Sequence, residues 1–286
     1  MNLTISIKNK IQEYIGEKIV SAAPVGGGCI SDSQIVKCES GASYFLKVNE
    51  SSAGFFLCEA NGLNELKKAN AVRVPEVILA DKTFILLEHI KSAKPAKNFF
   101  EEFGEKFASL HKYTADQFGF LENNFIGSTP QINLPLSSDW KSFYWENRIL
   151  YQINLCSENG YGEKELLNKI SQLEKKLDEI LSDSENIPSL LHGDLWSGNF
   201  ITDENGNACI IDPAVYYGNR EADLAMTKLF GGFAPEFYKS YNSEFPLPDG
   251  YSYRENFYKL YHLLNHLNLF GRGYYPQVIS AINYYL

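Results

Sequence analysis

The sequence predicts an α+β fold in two lobes. An N-terminal lobe over residues 1–90 carries a five-stranded antiparallel sheet and a helix, and a C-terminal lobe over residues 91–286 is mainly helical. Three observations predict it. Short apolar runs broken by glycine-bearing turns crowd the first ninety residues. Apolar residues at helical spacing dominate from Asn98 onward. The chain has 286 residues, 44% hydrophobic and 21% charged, a globular composition long enough for one large or two modest domains.

Taken in order, Asn9 to Ile15 reads as a short amphipathic helix. Strands follow at Val20 to Val25, Ser33 to Cys38 and Tyr44 to Val48. Gly26-Gly27-Gly28 and Glu39-Ser40-Gly41 separate them, which predicts an antiparallel meander. From Phe55 to Lys68 the apolar residues Phe55, Leu57, Cys58, Leu63 and Leu66 recur at helical spacing. Pro75 then opens two more strands, Val77 to Ala80 and Thr83 to Glu88. Three strands, a helix and two strands is the order of a nucleotide-binding small lobe in the protein-kinase-like fold. Beyond it, helices are expected over Phe99 to Lys112, Ser138 to Glu158 and Glu163 to Leu181. Several more lie between Glu221 and Leu286, broken near Pro235, Pro246, Pro248 and Gly271 to Pro276. Asp116 to Ser137 reads as a long ordered loop, a feature uncommon without a purpose.

The net charge is -9 and the pI near 5.2, with no basic stripe, so a nucleic-acid partner is not expected. No run of about 18 apolar residues exists, which predicts no membrane span. Polar residues interrupt Met1 to Tyr14, so no signal peptide is expected there. Five cysteines without a CxxC fit a reducing cytoplasm and no zinc site.

One string carries the chemistry. His192-Gly193-Asp194-Leu195-Trp196-Ser197-Gly198-Asn199, followed by Asp212-Pro213, reads HGD-x4-N-x12-DP. Phosphoryl transfer from ATP needs one carboxylate to orient the attacking hydroxyl, here Asp194. It also needs an amide oxygen and a second carboxylate to hold Mg2+ against the phosphates, here Asn199 and Asp212. Asn199 to Thr202 and Ala208 to Ile211 read as a hairpin around Asn205-Gly206, which brings the two metal ligands to one end.

The remaining candidates gather around this string. Gly26, Gly27 and Gly28 let backbone N–H groups approach phosphate. Lys47, in the apolar strand Phe45-Leu46-Lys47-Val48, points either to solvent or into a cleft, and beside the other motifs the cleft and a phosphate are favoured. Glu59 on the next helix is its expected ion-pair partner, with Glu65 as competitor. Glu88, His89 and Ile90 end the last small-lobe strand, where an adenine ring could bond the backbone. Trp196 has two readings, an inward core residue or a substrate wall over which a cationic amine sits. His262 and His266 stand four apart but lack the HExxH glutamate, so they read as packed histidines rather than a metal pair. His111 reads as structural, and Asp223 as an acceptor for the catalytic-loop backbone. Cys29, next to the glycines, is either inert or a thiol acidified by the loop amides.

With these residues in place, the sequence resembles the fructosamine kinase (ketosamine-3-kinase) family, a branch of the protein-kinase-like and aminoglycoside-phosphotransferase-like fold. The likeness rests on VGGGCIS from Val25, FLKV from Phe45, the loop from Phe118 to Asn133, LHGDLWSGN from Leu191, LFGG from Leu229 and YHLLNH from Tyr261. It implies ATP- and Mg2+-dependent phosphorylation of the sugar third hydroxyl of ketoamines (fructosamine, ribulosamine or erythrulosamine adducts), whose breakdown frees the amine or protein lysine. Matched positions make Asp194 the base, Asn199 and Asp212 the Mg2+ ligands, Lys47 the phosphate lysine and Glu59 its partner. Gln131 and Asn133 of the PQxN loop become substrate contacts. Cys29 matches a cysteine linked to redox-sensitive dimerisation, so a monomer or such a homodimer is expected. Two rivals are a kinase for an aminoglycoside-like or choline-like alcohol and a non-catalytic ATP-binding redox sensor.

Overall fold

In the computed structural model, residues 4–26, 32–49 and 54–286 are described. Helix α1 (Ile5–Ile15) begins a turn earlier than its periodicity predicts, because Thr4 caps it by accepting the Ile7 N–H. Gly16 ends it in a left-handed conformation and bonds back to Gln12. Strands β1 (Ile19–Pro24), β2 (Asp32–Cys38) and β3 (Ser43–Val48) form the expected meander. Helix α2 (Phe55–Lys68) follows, then β4 (Val77–Ala80) and β5 (Phe84–Glu88). The five strands make one antiparallel sheet in the order β1-β2-β3-β5-β4.

Both faces of the sheet are covered. Ile7 and Ile11 of α1 pack on Val36, Leu46, Phe84 and Leu86. Phe56, Leu63 and Leu66 of α2 pack with Ile85 and Leu87 on the other side. Strand alternation then decides Lys47. Leu46 faces α1, so Lys47, opposite Ile85 in the register, faces α2. β3 is central and Lys47 is buried there, which removes the solvent alternative.

The helical part starts with α3 (Phe99–His111). Gly104 lets α3 approach α9 (Pro235–Glu244): a Cβ there would lie 2.2 Å from the Phe237 oxygen. The expected 138–158 helix is α4 (Trp140–Tyr144), a π-helical segment over 145–150 and α5 (Tyr151–Glu158). The expected 163–181 helix is split into α6 (Lys164–Glu174) and α7 (Leu177–Ile180) at Lys175-Lys176. Helices α8 (Arg220–Leu229), α10 (Tyr251–Phe270) and α11 (Tyr275–Asn283) complete this part.

Three two-stranded ribbons lie among the helices. β6 (Asn124–Ile126) pairs β7 (Thr129–Gln131) inside the region read as a loop. β8 (Ser189–Leu191) pairs β11 (Tyr216–Gly218), and β9 (Phe200–Thr202) pairs β10 (Ala208–Ile210) as the Asn-Gly turn predicts. Arg73 ties the last ribbon to the sheet: it bonds Glu88 at 2.7 Å, Asp203 at 2.8 Å and Glu204 at 2.9 Å. Among the described residues no helix is long and apolar enough to cross a membrane.

Candidate active site

The site is built on the two inner ribbons. β8 delivers His192-Gly193-Asp194 at its end, and β10 delivers Ile211-Asp212 beside it. The Ile211 N–H donates to the Asn199 oxygen at 3.0 Å, which sets the two expected metal ligands side by side. His192 holds the same seam: its Nε2 donates to the Ile211 oxygen at 3.0 Å and its Nδ1 accepts from the Asp194 N–H at 3.3 Å. Gly193 has a φ of 82°, and a Cβ there would lie 2.0 Å from the Ala214 oxygen, so only glycine fits.

Asp223 fixes the loop from below. Its carboxylate accepts the His192 N–H at 2.7 Å and the Gly193 N–H at 2.8 Å, and it takes a third bond from His111 at 3.3 Å. His111 in turn accepts from the Tyr241 hydroxyl at 2.8 Å. Burial works to raise the Asp223 pKa, but these donors outweigh it and hold the carboxyl below its ordinary value.

Asp194 sits partly buried at the pocket floor. Asn199 donates to its backbone oxygen at 2.8 Å and to its carboxylate at 3.2 Å. The Asn199 amide nitrogen is thereby committed to Asp194, which leaves its oxygen for another partner. Asp212 is half-exposed and adopts a φ of 56°, uncommon for a residue with a side chain and concentrated at functional sites. Burial first, and the Asp212 charge next, push the Asp194 pKa well above the ordinary carboxylate range.

Lys47 reaches this floor from the sheet. Its ammonium bonds Glu59 at 2.7 Å and also contacts Asp212. Burial lowers its pKa, yet the two carboxylates outweigh that, so the lysine stays charged. Glu65 is elsewhere, bonded to Lys68 and to the Tyr217 hydroxyl.

These groups share one pocket of about 570 Å³. Lys47, Glu59, Asp194, Asn199 and Asp212 form its polar floor. Phe55, Phe125, Trp196, Phe230, Phe270 and Tyr274 form aromatic walls, joined by Asn124, Asn265 and His266. Trp196 is 36% exposed and meets Phe230 edge-on at 6.0 Å, so it is a wall rather than core.

Other expected residues lie elsewhere. Glu88 ends β5 and His89 and Ile90 enter the linker beyond it; none of the three is among the residues lining this pocket. Glu88 donates its N–H to the Glu76 backbone oxygen and its carboxylate accepts from Arg73, and His89 bonds the Ser43 hydroxyl. Gly26 is exposed just past β1, while Gly27, Gly28 and Cys29 fall outside the described residues.

Gln131 and Asn133, expected as substrate contacts, are not among the residues that line this pocket. Both are buried and their polar atoms are used internally. Gln131 donates to Asn124 and the Ala214 oxygen and accepts from Tyr261. Asn133 donates to Asn124 and the Glu122 oxygen and accepts from Arg148 at 2.7 Å. They hold Asn124, which does line the pocket and which sequence reasoning missed. His266 packs against Phe230, Phe270 and Tyr274 and also lines the pocket, whereas His262 is buried with burial lowering its pKa to about 3.

The donor set suits Mg2+. One carboxylate and one amide oxygen leave most positions of an octahedral hard cation to phosphate and water oxygens. Among the described residues no cluster of three or more His, Cys, Asp or Glu competes as a self-sufficient metal cage.

A buried lysine–glutamate pair under a five-stranded sheet, facing an Asp–Asn–Asp floor, defines a phosphotransferase of the kinase-like fold. An ADP-bound aminoglycoside phosphotransferase, 16% identical, superposes with a TM-score of 0.64 over 99% of this chain and 98% of its own, which shows the fold. The family profile described as fructosamine kinase matches residues 3–286. The protein-ribulosamine 3-kinase of Arabidopsis thaliana chloroplasts is 40% identical, across 98% of this chain and 88% of its own. A probable ketoamine kinase of Enterococcus faecium is also 40% identical, across 89% and 91%. A solved Thermobifida fusca protein assigned as a fructosamine-3-kinase is 30% identical with a TM-score of 0.90, covering 99% of each chain. The chain belongs to the fructosamine kinase family and is a kinase.

Proposed function

We propose that this kinase transfers the γ-phosphoryl group of ATP to the third hydroxyl of ketoamine sugars, in the cytoplasm, and that breakdown of the product returns the free amine. Residues 1–90 are the nucleotide lobe and residues 91–286 the catalytic and substrate lobe. The observation that carries this is the meeting of Lys47, Asp194, Asn199 and Asp212 on the floor of one aromatic-walled pocket. Its support in sequence is the family and its ketoamine-kinase and ribulosamine-kinase relatives.

In this mechanism Asp194 accepts a hydrogen bond from the sugar hydroxyl and aims it at the phosphorus. Lys47, held by Glu59, turns from Asp212 to a phosphate oxygen. Asn199 and Asp212 would hold Mg2+, which when bound would supply charge neutralisation to the phosphates. Positioning and electrostatics carry the rate, because the transition state asks little covalent help.

The pocket carboxylates, Glu59, Asp194 and Asp212, all lie at the catalytic floor. Among the described residues the walls of this pocket carry no carboxylate for a polycationic aminoglycoside, whereas a sugar with one amine finds aromatic faces. The test is a panel with Mg-ATP: fructosamine, ribulosamine and erythrulosamine adducts against an aminoglycoside and choline, with products read by mass spectrometry. Turnover confined to the adducts is expected. Turnover of the aminoglycoside or choline with inert adducts overturns the reading.

Asp212→Ala is expected to raise the Mg2+ concentration needed for ATP binding by roughly tenfold or more. Calorimetric titration with ATP, with and without Mg2+, checks it. An unchanged Mg2+ dependence argues against ligation by Asp212.

A further inference from the structure

Arg148 is completely buried, yet among the described residues its guanidinium bonds no carboxylate. A cation without a counter-ion is costly to bury. The π-helical segment over 145–150 carries it, and its guanidinium lies 4.1 Å from the Tyr216 ring and 4.9 Å from the Phe143 ring, whose faces offset part of that cost. It donates to the backbone oxygens of Ile132 and Asn147 and, at 2.7 Å, to Oδ1 of Asn133. A guanidinium has donors only, so this contact fixes which way round the Asn133 amide stands.

The orientation then passes along buried amides. Asn133 Nδ2 donates to Asn124 Oδ1 at 2.9 Å, and so does Gln131 Nε2 at 2.9 Å. With its oxygen taken twice, Asn124 turns Nδ2 to the Val215 oxygen at 2.7 Å. Gln131 also donates to the Ala214 oxygen at 2.9 Å and accepts from the Tyr261 hydroxyl at 2.8 Å. The donors therefore run from Arg148 towards the two carbonyls that follow Asp212-Pro213. The Ala214 N–H is held as well, by the His192 oxygen at 2.9 Å, and the Ile211 N–H by the Asn199 oxygen. Asp212 is thus pinned on both sides. Its φ of 56° persists in a residue with a side chain only where the surroundings over-determine it.

We propose that Arg148, Asn133, Asn124 and Gln131 are positioning residues for Asp212. A donor-only cation at one end and backbone carbonyls at the other leave the relay a single polarity. That polarity locks the segment after Asp212 and aims its carboxylate at the metal position. Of the four, only Asn124 is among the pocket-lining residues, so the relay acts through the backbone at Ala214 and Val215. The proposal rests on the reading of Asp212 as a Mg2+ ligand and assigns what holds that ligand in place.

The readout is the factor by which Mg2+ strengthens ATP binding, from calorimetric titrations with Mg2+ and in EDTA, together with the melting temperature. Asn133→Asp separates the relay from mere stability. It gives Arg148 a counter-ion, so the melt is expected to rise or hold within about 3 °C. The new carboxylate cannot donate, so Asn124 turns its amide over to meet it and presents oxygen to the Val215 oxygen. The Mg2+ factor is expected to fall about tenfold, with ATP affinity in EDTA within about twofold of wild type. Gln131→Met leaves the contact between Arg148 and Asn133 intact and removes the donor to Ala214. It is expected to lower the Mg2+ factor about threefold or more, again with little change in EDTA. A purely structural network would instead lower the melt and weaken ATP equally with and without Mg2+. That pattern, or a wild-type Mg2+ factor in either variant, overturns the positioning role while leaving Asp212 as a ligand. An Asp212→Ala protein that keeps the wild-type factor overturns the metal reading and this proposal with it.

Discussion

Asp194→Asn is expected to lower turnover by roughly two or more orders of magnitude. ATP binding should persist, because Lys47, Asn199 and Asp212 remain. Melting temperature should hold or rise, and the reason is electrostatic. Burial and the Asp212 charge raise the Asp194 pKa, so the ionised side chain is disfavoured in the folded protein at neutral pH. The neutral isostere removes that penalty and can keep the Asn199 contact that Asp194 now makes at 3.2 Å. A side chain that costs stability while serving chemistry is the pattern of an active site. Single-turnover kinetics and a calorimetric melt read the two effects separately. Near-normal turnover in this variant would sink the role of Asp194, and lost activity with a collapsed melt would make it structural.

The parts of the site legible in sequence are those made by near neighbours. The β9–β10 ribbon could be read because an Asn-Gly turn and two short apolar runs fix it locally, and that ribbon sets Asn199 beside Asp212. Lys47 was legible as a choice between solvent and cleft, and only its burial in the central strand β3 decides it. The β8–β11 pair was not legible. It joins three-residue strands whose partners are about 25 residues apart in sequence, and such pairing leaves no periodic trace. The same holds for β6–β7, hidden in a loop-like composition.

Gln131 and Asn133 illustrate a different limit. Polar residues in a predicted loop look like ligand contacts, but Asn124, Arg148 and Tyr261 consume their amides in the interior. Sequence lists the donors and acceptors without saying who meets whom. His266 shows the converse: it packs among Phe230, Phe270 and Tyr274, as a histidine on a leucine-rich helix suggests, yet it also lines the pocket, which its helical position does not reveal. An aromatic-rich stretch next to a polar helical pair is the signal that could have found it.

Asp223→Ala is expected to be the most damaging change outside the reacting groups. It strips acceptors from the His192 and Gly193 N–H groups and from His111, all buried. Each orphaned donor carries a desolvation cost, and together they are expected to destabilise the protein by about 3–5 kcal/mol. At ~2–4 °C per kcal/mol for a chain of this size, the melt should fall by roughly 10 °C. Turnover should fall too, because the loop that aims Asp194 loses its anchor, with KM for ATP less affected. The pH dependence separates this from generic damage. The folded-state pKa of Asp223 is held below its ordinary value, so its contribution is complete above about pH 4 and is lost as acid protonates the native carboxylate. The wild type and Asp223→Asn should therefore differ most at neutral pH and converge as the pH falls through the native pKa. Asn keeps one acceptor and should recover part of the melt. Parallel wild-type and Asn curves down to pH 2 would show that the carboxylate charge does not anchor the loop.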